Sequence, residues 1–354
     1  MKPAKGCLRS THVIVTDTKD IGRLFQKSSF GISLKNNKLK LRLIEAVFLI
    51  EEKKLNVYDD DEKVSFDELI SYASNLDRFF EEKYLVFRDL RKRGLQVKLA
   101  TDPHFTFKYE KKDEQTNKFS THQIIAISER EIPSLFHLQT MVNHATNRKS
   151  TLWIGVVDEE GDITYYALEI QSLQGNTPSH HYDSVKGTML SNRVVIFDTS
   201  ISDLLHNQEF FGKPFGQGLQ LSLVEALYLF KQGILTCFLP SEPDPLSERE
   251  LKKQISHRQH DIHLRYTVFS DLKKQGLIVK TGFKFGTHFR AYQHSPFKSH
   301  AEFLIHAVDK QYQTQWPEIS RAVRLAHAVN KTLIYALIKK NETPLYMNII
   351  RIRP

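Results

Sequence analysis

Apolar residues recur at Leu43, Ala46, Val47 and Ile50, and again at Leu223, Ala226, Leu227 and Phe230. Both sets fall at i, i+3, i+4 and i+7, the spacing that gathers side chains on one buried face of an α-helix. A short β-rich run precedes each set, VIV at 13–15 and VVIF at 194–197. Downstream, Ser65-x-x-Glu68 and Ser247-x-x-Glu250 are capping boxes that predict a second helix in each region. A third helix is expected to end at Gly94 or Gly276, since glycine suits the left-handed C′ position, and a strand follows. Further strands come next, then a helix entered through Pro133 or Pro317 near its first turn, then a closing β-hairpin. This order predicts an α/β (α+β) fold class, with mixed sheets flanked by helices.

The pattern occurs twice because the chain repeats itself. YLVFRDLRKRGLQVK (84–98) and YTVFSDLKKQGLIVK (266–280) agree at ten of fifteen positions. HVIVTDT (12–18) echoes VVIFDT (194–199), LRLIEAVFLIEEKKL (41–55) echoes LSLVEALYLFKQGIL (221–235), and STLWIGVVDEEGDITYY (150–166) echoes KTLIYALIKKNETPLYM (331–347). The offsets stay between about 180 and 182, so the copies are collinear, and two copies are too few for a solenoid. QSLQGNTPSHHYDSVKG (171–187) is polar and aperiodic and contains Gly, Pro and Ser, as a linker does. The expected division is a first repeat at 1–175, a linker at 176–187 and a second repeat at 188–354.

With 354 residues, of which 40% are hydrophobic and 26% charged, the chain has room for two or three packed domains. The net charge of +9 favours a polyanionic partner, nucleic acid first and a membrane surface second. No apolar run approaches the ~18 residues of a membrane span, and MKPAKGCLRSTH has no signal-peptide core. Two cysteines, Cys7 and Cys237, are too few for a disulfide framework or a structural zinc site. A cytoplasmic protein with reduced thiols is the expectation.

The copies part company after the shared third helix. In GFKFGTHFRAY (282–292), strand alternation puts His288, Arg290 and Tyr292 on one face, with Phe289 and Ala291 opposite. His300 is expected to open the next strand, and Lys331 the strand after the helix. In the first copy Tyr109 is the expected counterpart of Tyr292, with one residue deleted between. His300 falls on Ser120 or Thr121 there, and Lys331 on Ser150. The first copy then lacks two of the three polar groups. HRQHDIH (257–263) reads as a solvated helix face, and EPDP…ERELKK (242–253) as a loop leading into a helix. Neither is expected to bind metal.

The blocks YTVFSDLKKQGLIVKTGFKFGTHFRAY (266–292), HAEFLIHAV (300–308) and NKTLIYALI (330–338) resemble the catalytic half of archaeal tRNA-splicing endonucleases, the tRNA-intron lyases. The duplication matches a class of that family that is a tandem repeat working as a homodimer, so the resemblance covers nearly the whole chain. It implies, in each repeat, an N-terminal mixed α/β subdomain and a C-terminal restriction-endonuclease-like mixed sheet flanked by helices. The first repeat would be degenerate and structural, the second catalytic.

The implied activity is cleavage of precursor tRNA at intron boundaries in a bulge-helix-bulge fold. No metal or other cofactor takes part, and the products carry a 2′,3′-cyclic phosphate and a 5′-hydroxyl. The family triad falls on Tyr292, His300 and Lys331. His294, in QHSPF, lies nearby, but HAEFLIH fits the family's strand pattern and assigns the role to His300. The family often has Asp where this chain has His288, and the gap from Tyr292 to His300 is short. Arginines that stack on a bulge base would be Arg324 and either Arg351 or Arg353, with Arg290 as a further cation near the substrate. The acidic hairpin DEEGD, with Asp158, Glu159, Glu160 and Asp162, matches the loop by which a non-catalytic repeat docks on the opposite subunit, where the second copy has KKNET.

These residue types suit the chemistry. Cleavage removes a proton from the 2′-hydroxyl, delivers one to the 5′-oxygen and stabilises a charged phosphorane. An imidazole with a pKa of about 6.5 can deliver the proton, and an ammonium stabilises the phosphorane. A phenol with a pKa of about 10 costs roughly 4 kcal/mol to ionise at pH 7. Neighbouring cations such as Arg290 or Lys331 lower that cost. Tyr292 is therefore either the base or a group that orients the nucleophile. The competing readings are a non-catalytic RNA-binding assembly subunit and a metal-dependent DNA nuclease.

Overall fold

The structure is a computed structural model that describes residues 2–354, except 113–116, 179, 181, 298, 340 and 341. Lys340 and Asn341, in the KKNET hairpin of the second copy, thus lie outside the described residues. The chain forms two compact units. One comprises Met1–Glu169 with Thr314–Pro317 and Arg351–Pro354, the other Ile170–Gln313 with Glu318–Ile350.

In the first unit, β1 (Ala4–Arg9), β2 (His12–Val15), β3 (Ile32–Leu34), β4 (Lys38–Arg42), β5 (Leu55–Asp59) and β6 (Glu62–Val64) form a sheet in the order β3-β4-β2-β1-β5-β6. The helices here are α1 (Thr18–Ile21), α2 (Leu43–Glu51), α3 (Phe66–Leu76) and α4 (Phe80–Lys92). A second run of strands follows: β7 (Lys98–Leu99), β8 (Phe107–Lys112), β9 (Phe119–Ser128), β10 (Ser150–Val157) and β11 (Ile163–Gln171). Within this run β9 and β10 pair in parallel, with α5 (Leu135–Asn147) as the crossover between them, and the other described pairs are antiparallel.

The second unit repeats this plan. The strands β12 (Val185–Met189), β13 (Val194–Ile196), β14 (Lys213–Phe215), β15 (Gly218–Leu221) and β16 (Leu235–Phe238) pair in the order β14-β15-β13-β12-β16. With them come α6 (Thr199–Glu209), α7 (Leu223–Lys231), α8 (Glu248–Arg258) and α9 (Ile262–Lys274). Then β17 (Ile278–Thr281), β18 (Phe289–Tyr292), β19 (Phe303–Val308), β20 (Thr332–Leu337) and β21 (Leu345–Ile352) pair in that order. Here β19 and β20 are the parallel pair, joined through α10 (Trp316–Ala328).

Local chemistry accounts for the element ends. Ser65 and Ser247 each form the expected capping box with Glu68 and Glu250. Gly94 and Gly276 sit just beyond α4 and α9 with φ of 88° and 75°, a backbone region open mainly to glycine. Pro317 is the second residue of α10. Pro133 differs from expectation: it precedes the N-cap Ser134, because the Ser134 hydroxyl accepts the His137 N–H and so starts the helix later. HRQHDIH is not a helix face but the junction between α8 and α9.

The helices α2 and α7 are buried well beyond one face, since each packs between a sheet and a second helix. Each also carries one buried carboxylate. Glu45 accepts the N–H groups of Gly31 (2.8 Å) and Arg42 (2.9 Å). Glu225 accepts those of Gly212 (3.0 Å) and Ser222 (2.9 Å) and lies 3.3 Å from the Lys280 ammonium. Such a carboxylate satisfies orphan donors at a helix start and pins the preceding loop. Cys7 and Cys237 are both free thiols. Among the described residues, no helix is long and apolar enough to cross a membrane.

Candidate active site

Strand register brings the expected residues to one end of the β17–β21 sheet. Ala291 on β18 faces Phe303 on β19, and Phe303 faces Thr332 on β20. One step outward, Tyr292, Glu302 and Lys331 form the next row. Hydrogen bonds close it: Glu302 N–H donates to the Ala291 carbonyl (3.2 Å) and Thr332 N–H to the Glu302 carbonyl (2.9 Å). Adjacent strands lie about 4.8 Å apart, so the backbones of Tyr292 and Lys331 are about 10 Å apart. A phenol and an ammonium can span that gap toward a common phosphate.

Tyr292 is buried and packs with Ile278 and Ala301, with Phe210 against them. The Arg290 guanidinium lies 5.8 Å from its ring centre, so the two share a face as alternation requires. Arg290 Nε is buried and has no hydrogen-bond partner among the described residues. The Lys331 ammonium contacts the Val329 carbonyl (3.4 Å) and the face of Phe285 (5.8 Å). Both neighbours are neutral, so they leave its charge available. His300 is exposed and does not open a strand. It lies in the loop three residues before β19, because pairing begins at Phe303, where the ladder to β18 and β20 starts.

The same registers correct the match between the copies. Ser150 stands where Lys331 does, each just after a left-handed residue, Lys149 (φ 52°) or Asn330 (φ 54°). Thr151 pairs with His122, and His122 with Tyr109. Tyr109 therefore corresponds to Ala291, and Glu110 to Tyr292, with no deletion. A one-residue slip on a strand reverses the face, and Tyr109 accordingly packs inward, stacked on His122 at 5.8 Å. Counting back from His122, Phe119 occupies the place of His300. The first copy has Glu110, Phe119 and Ser150 where the second has Tyr292, His300 and Lys331, so all three groups are replaced.

At the other end of β18, His288 Nδ1 accepts the Ala307 N–H (2.9 Å), and Nε2 lies 3.5 Å from Asp261. Its ring is 4.5 Å from His306, which in turn faces Tyr312 and Tyr335. Burial, then the charge of Arg265, lowers His306 to about 4; burial, then His306 and Arg265, lowers His288 to about 4. Both are thus neutral in the fold and become protonated more readily when unfolded. Stability is unaffected above about pH 6.5, falls as the pH drops toward 4, and has lost the full contribution below that. For His306 the full loss is about 3 kcal/mol. Thermal melts should show Tm falling across this window, and His306→Phe should flatten the fall. An unaltered acid profile in that variant would exonerate His306.

The acidic hairpin joins β10 to β11. Asp158 spends its carboxylate on the loop's own N–H groups, those of Glu160 (3.0 Å) and Asp162 (2.8 Å). Glu159 pairs with Arg130 at 2.7 Å. Glu160 and Asp162 are exposed. Arg324 is exposed on α10, seven residues before Lys331, and Arg351 is exposed near the end of β21. Among the described residues, no group of three or more His, Cys, Asp or Glu side chains is arranged to hold a metal ion.

Comparison with known proteins identifies the domains of the chain. The family model for the tRNA intron endonuclease N-terminal domain matches residues 4–70 and 185–252. That for the catalytic C-terminal domain matches 80–165 and 262–346. The chain is 34% identical to the tRNA-splicing endonuclease of Methanococcoides burtonii over 332 residues, covering 92% of this chain and 93% of the relative. It is 32% identical to that of Methanosarcina mazei, covering 96% of each. The tRNA-splicing endonuclease of Methanothermobacter thermautotrophicus aligns with 48% of this chain, at 36% identity, over 99% of its own length. With both domain types matched twice along its length, the chain belongs to the tRNA intron endonuclease family and is an endonuclease.

Proposed function

We propose that the second repeat cuts precursor tRNA at intron boundaries within a bulge-helix-bulge fold, by attack of the RNA's own 2′-hydroxyl. The observation that carries this is the row at the end of the β17–β21 sheet, where Tyr292 and Lys331 flank Glu302 and His300 lies two residues before Glu302 on the loop leading into β19. Tyr292 takes or orients the 2′-hydroxyl proton. The new bond joins the 2′-oxygen to phosphorus and the bond to the 5′-oxygen breaks. His300 delivers a proton to that oxygen, and Lys331 balances the charge on the phosphorane. The products are a 2′,3′-cyclic phosphate and a 5′-hydroxyl, and the three groups meet the demands of the step without a metal ion. Recognition rests on RNA shape and unstacked bulge bases, because A-form grooves are poorly read by side chains. Arg324 and Arg351 are the proposed stacking partners and Arg290 a cation near the substrate.

The decisive assay is a bulge-helix-bulge RNA incubated with the protein in EDTA, followed by end-group analysis. Cleavage to a cyclic phosphate supports this reading. Binding without cleavage favours an assembly subunit, and cleavage only on adding a divalent ion favours a metal-dependent nuclease.

The first repeat, stripped of all three groups, serves assembly in this reading. The protein works as a homodimer in which the β10–β11 hairpin docks on the partner and two active sites address two cut sites. Asp158 shapes the hairpin and Glu159 is already paired, so the docking charges are Glu160 and Asp162. Reversing both to Lys sets like charges against a basic partner surface and should weaken dimerisation at least about tenfold. Sedimentation equilibrium reads this directly, and an unshifted dimer would remove the hairpin from the interface.

A further inference from the structure

The segment between the repeats is bonded onto the active-site end of β18. Gly175 N–H donates to the Gln275 carbonyl (2.9 Å) and Thr177 N–H to the Gly276 carbonyl (2.9 Å), so the segment runs across the end of α9. Asn176 N–H donates to the Gln293 carbonyl (3.2 Å), and Gln293 Nε2 donates back to the Gln174 carbonyl (3.0 Å). Gln293 N–H donates to the Glu302 carboxylate at 3.0 Å. The residue directly after Tyr292 is thus held at its backbone N–H, its backbone carbonyl and its side-chain amide.

Two glycines make this crossing feasible. A Cβ on Gly175 would meet the Gly276 oxygen at 2.2 Å, and one on Gly276 would meet the Gly175 oxygen at 2.8 Å. Gly94, which occupies the place of Gly276 in the first repeat, has open space around it. The first repeat also has Thr121 where Glu302 stands, and Glu110 where Tyr292 stands. The clamp and the phenol therefore occur together in one repeat and are absent together from the other.

We propose that the inter-repeat segment Gln174–Thr177, with Gln293 and Glu302, forms a positioning clamp that holds the Tyr292 hydroxyl against the scissile phosphate. The linker is then a working part of the active site as well as a tether. The proposal rests on Tyr292 acting in cleavage as described above. Gln293 and Glu302 are positioning residues: they fix the strand end and take no proton. A reacting group displaced by about 1 Å can lose about 10²-fold in rate, so a loosened clamp should act on the cleavage step and spare RNA binding.

The test measures single-turnover cleavage and affinity on a precursor tRNA carrying a bulge-helix-bulge. Gly175→Ala, which alters no side chain of the site, and Gln293→Ala should each slow cleavage by about 10- to 100-fold while RNA affinity holds. Gln293→Ala removes only a side-chain bond, so it keeps the test open if Gly175→Ala folds poorly. Glu302→Gln retains an oxygen to accept the Gln293 N–H and should keep most of the rate that Glu302→Ala loses. In a Tyr292→Phe background the same changes should cost little more, since the group they position is gone. Clamp variants that cleave at the parental rate, or whose losses multiply fully with that of Tyr292→Phe, would overturn the proposal while leaving the active site in place. A Tyr292→Phe enzyme as fast as the parent would instead remove Tyr292 from the site, and the clamp with it.

Discussion

His300→Ala should cleave precursor tRNA about 10²- to 10⁴-fold more slowly than the parent, the range typical of a lost general acid, with RNA affinity little changed. The side chain is exposed on the loop before β19, so truncation opens no cavity and the fold should hold. Slow cleavage alone would not separate proton donation from a structural role, but the leaving group can. A sulfur in place of the scissile 5′-oxygen departs as a thiolate and needs no proton. On that substrate His300→Ala should approach the parental rate. A defect of equal size on the oxygen and sulfur substrates would rule out His300 as the acid.

Lys331→Met should lower the single-turnover rate by about 10²- to 10³-fold, as when one electrostatic donor is removed from a developing charge. Methionine keeps most of the length of the side chain and its contact with Phe285 while removing the charge. The ammonium's neighbours, the Val329 carbonyl and the Phe285 ring, are neutral, so deletion leaves no buried carboxylate behind and stability should change little. The salt dependence of RNA binding should shift by at most about one phosphate contact, which separates a role in the transition state from one in binding. A normal rate with weakened binding would make Lys331 an affinity residue only.

Much of the architecture was legible because short-range rules govern it. Ser65 and Ser247 cap helices through a contact three residues long, and Gly94 and Gly276 end them through a backbone angle; both signals lie within one turn of chain. Long-range features were less legible. The strands β1 and β12 pair in parallel with β5 and β16, and nothing local in AKGCLR or VKGTM announces such partners. The tie between Glu225 and Lys280 joins residues 55 positions apart, and the capping box that Ser222 forms with Glu225 was not among those read from the sequence.

At the candidate site, the resemblance supplied the residues that are proposed to act, but strand register was not legible. Pairing Tyr109 with Tyr292 matched chemical type and slipped the strand by one residue, which on a period of two reverses the face. The pairing of β8 with β9 shows that Glu110 is the counterpart, and that the first repeat has replaced all three groups. His300 was expected on a strand, but the ladder begins at Phe303. The bonds from the linker to Gln293 carried no signal at all, because backbone N–H groups of an aperiodic segment find partners only in the folded chain.

The central claim is that Tyr292, His300 and Lys331 surround one scissile phosphate. Its most direct test is a crystal structure with a bulge-helix-bulge RNA that carries a 2′-deoxy nucleotide at the cut site, which binds but lacks the nucleophile. The scissile phosphate or its 5′-oxygen should lie within about 3.5 Å of the Tyr292 hydroxyl, the His300 imidazole and the Lys331 ammonium. An RNA bound with that phosphate at the first repeat, or out of reach of any of the three groups, would contradict the account.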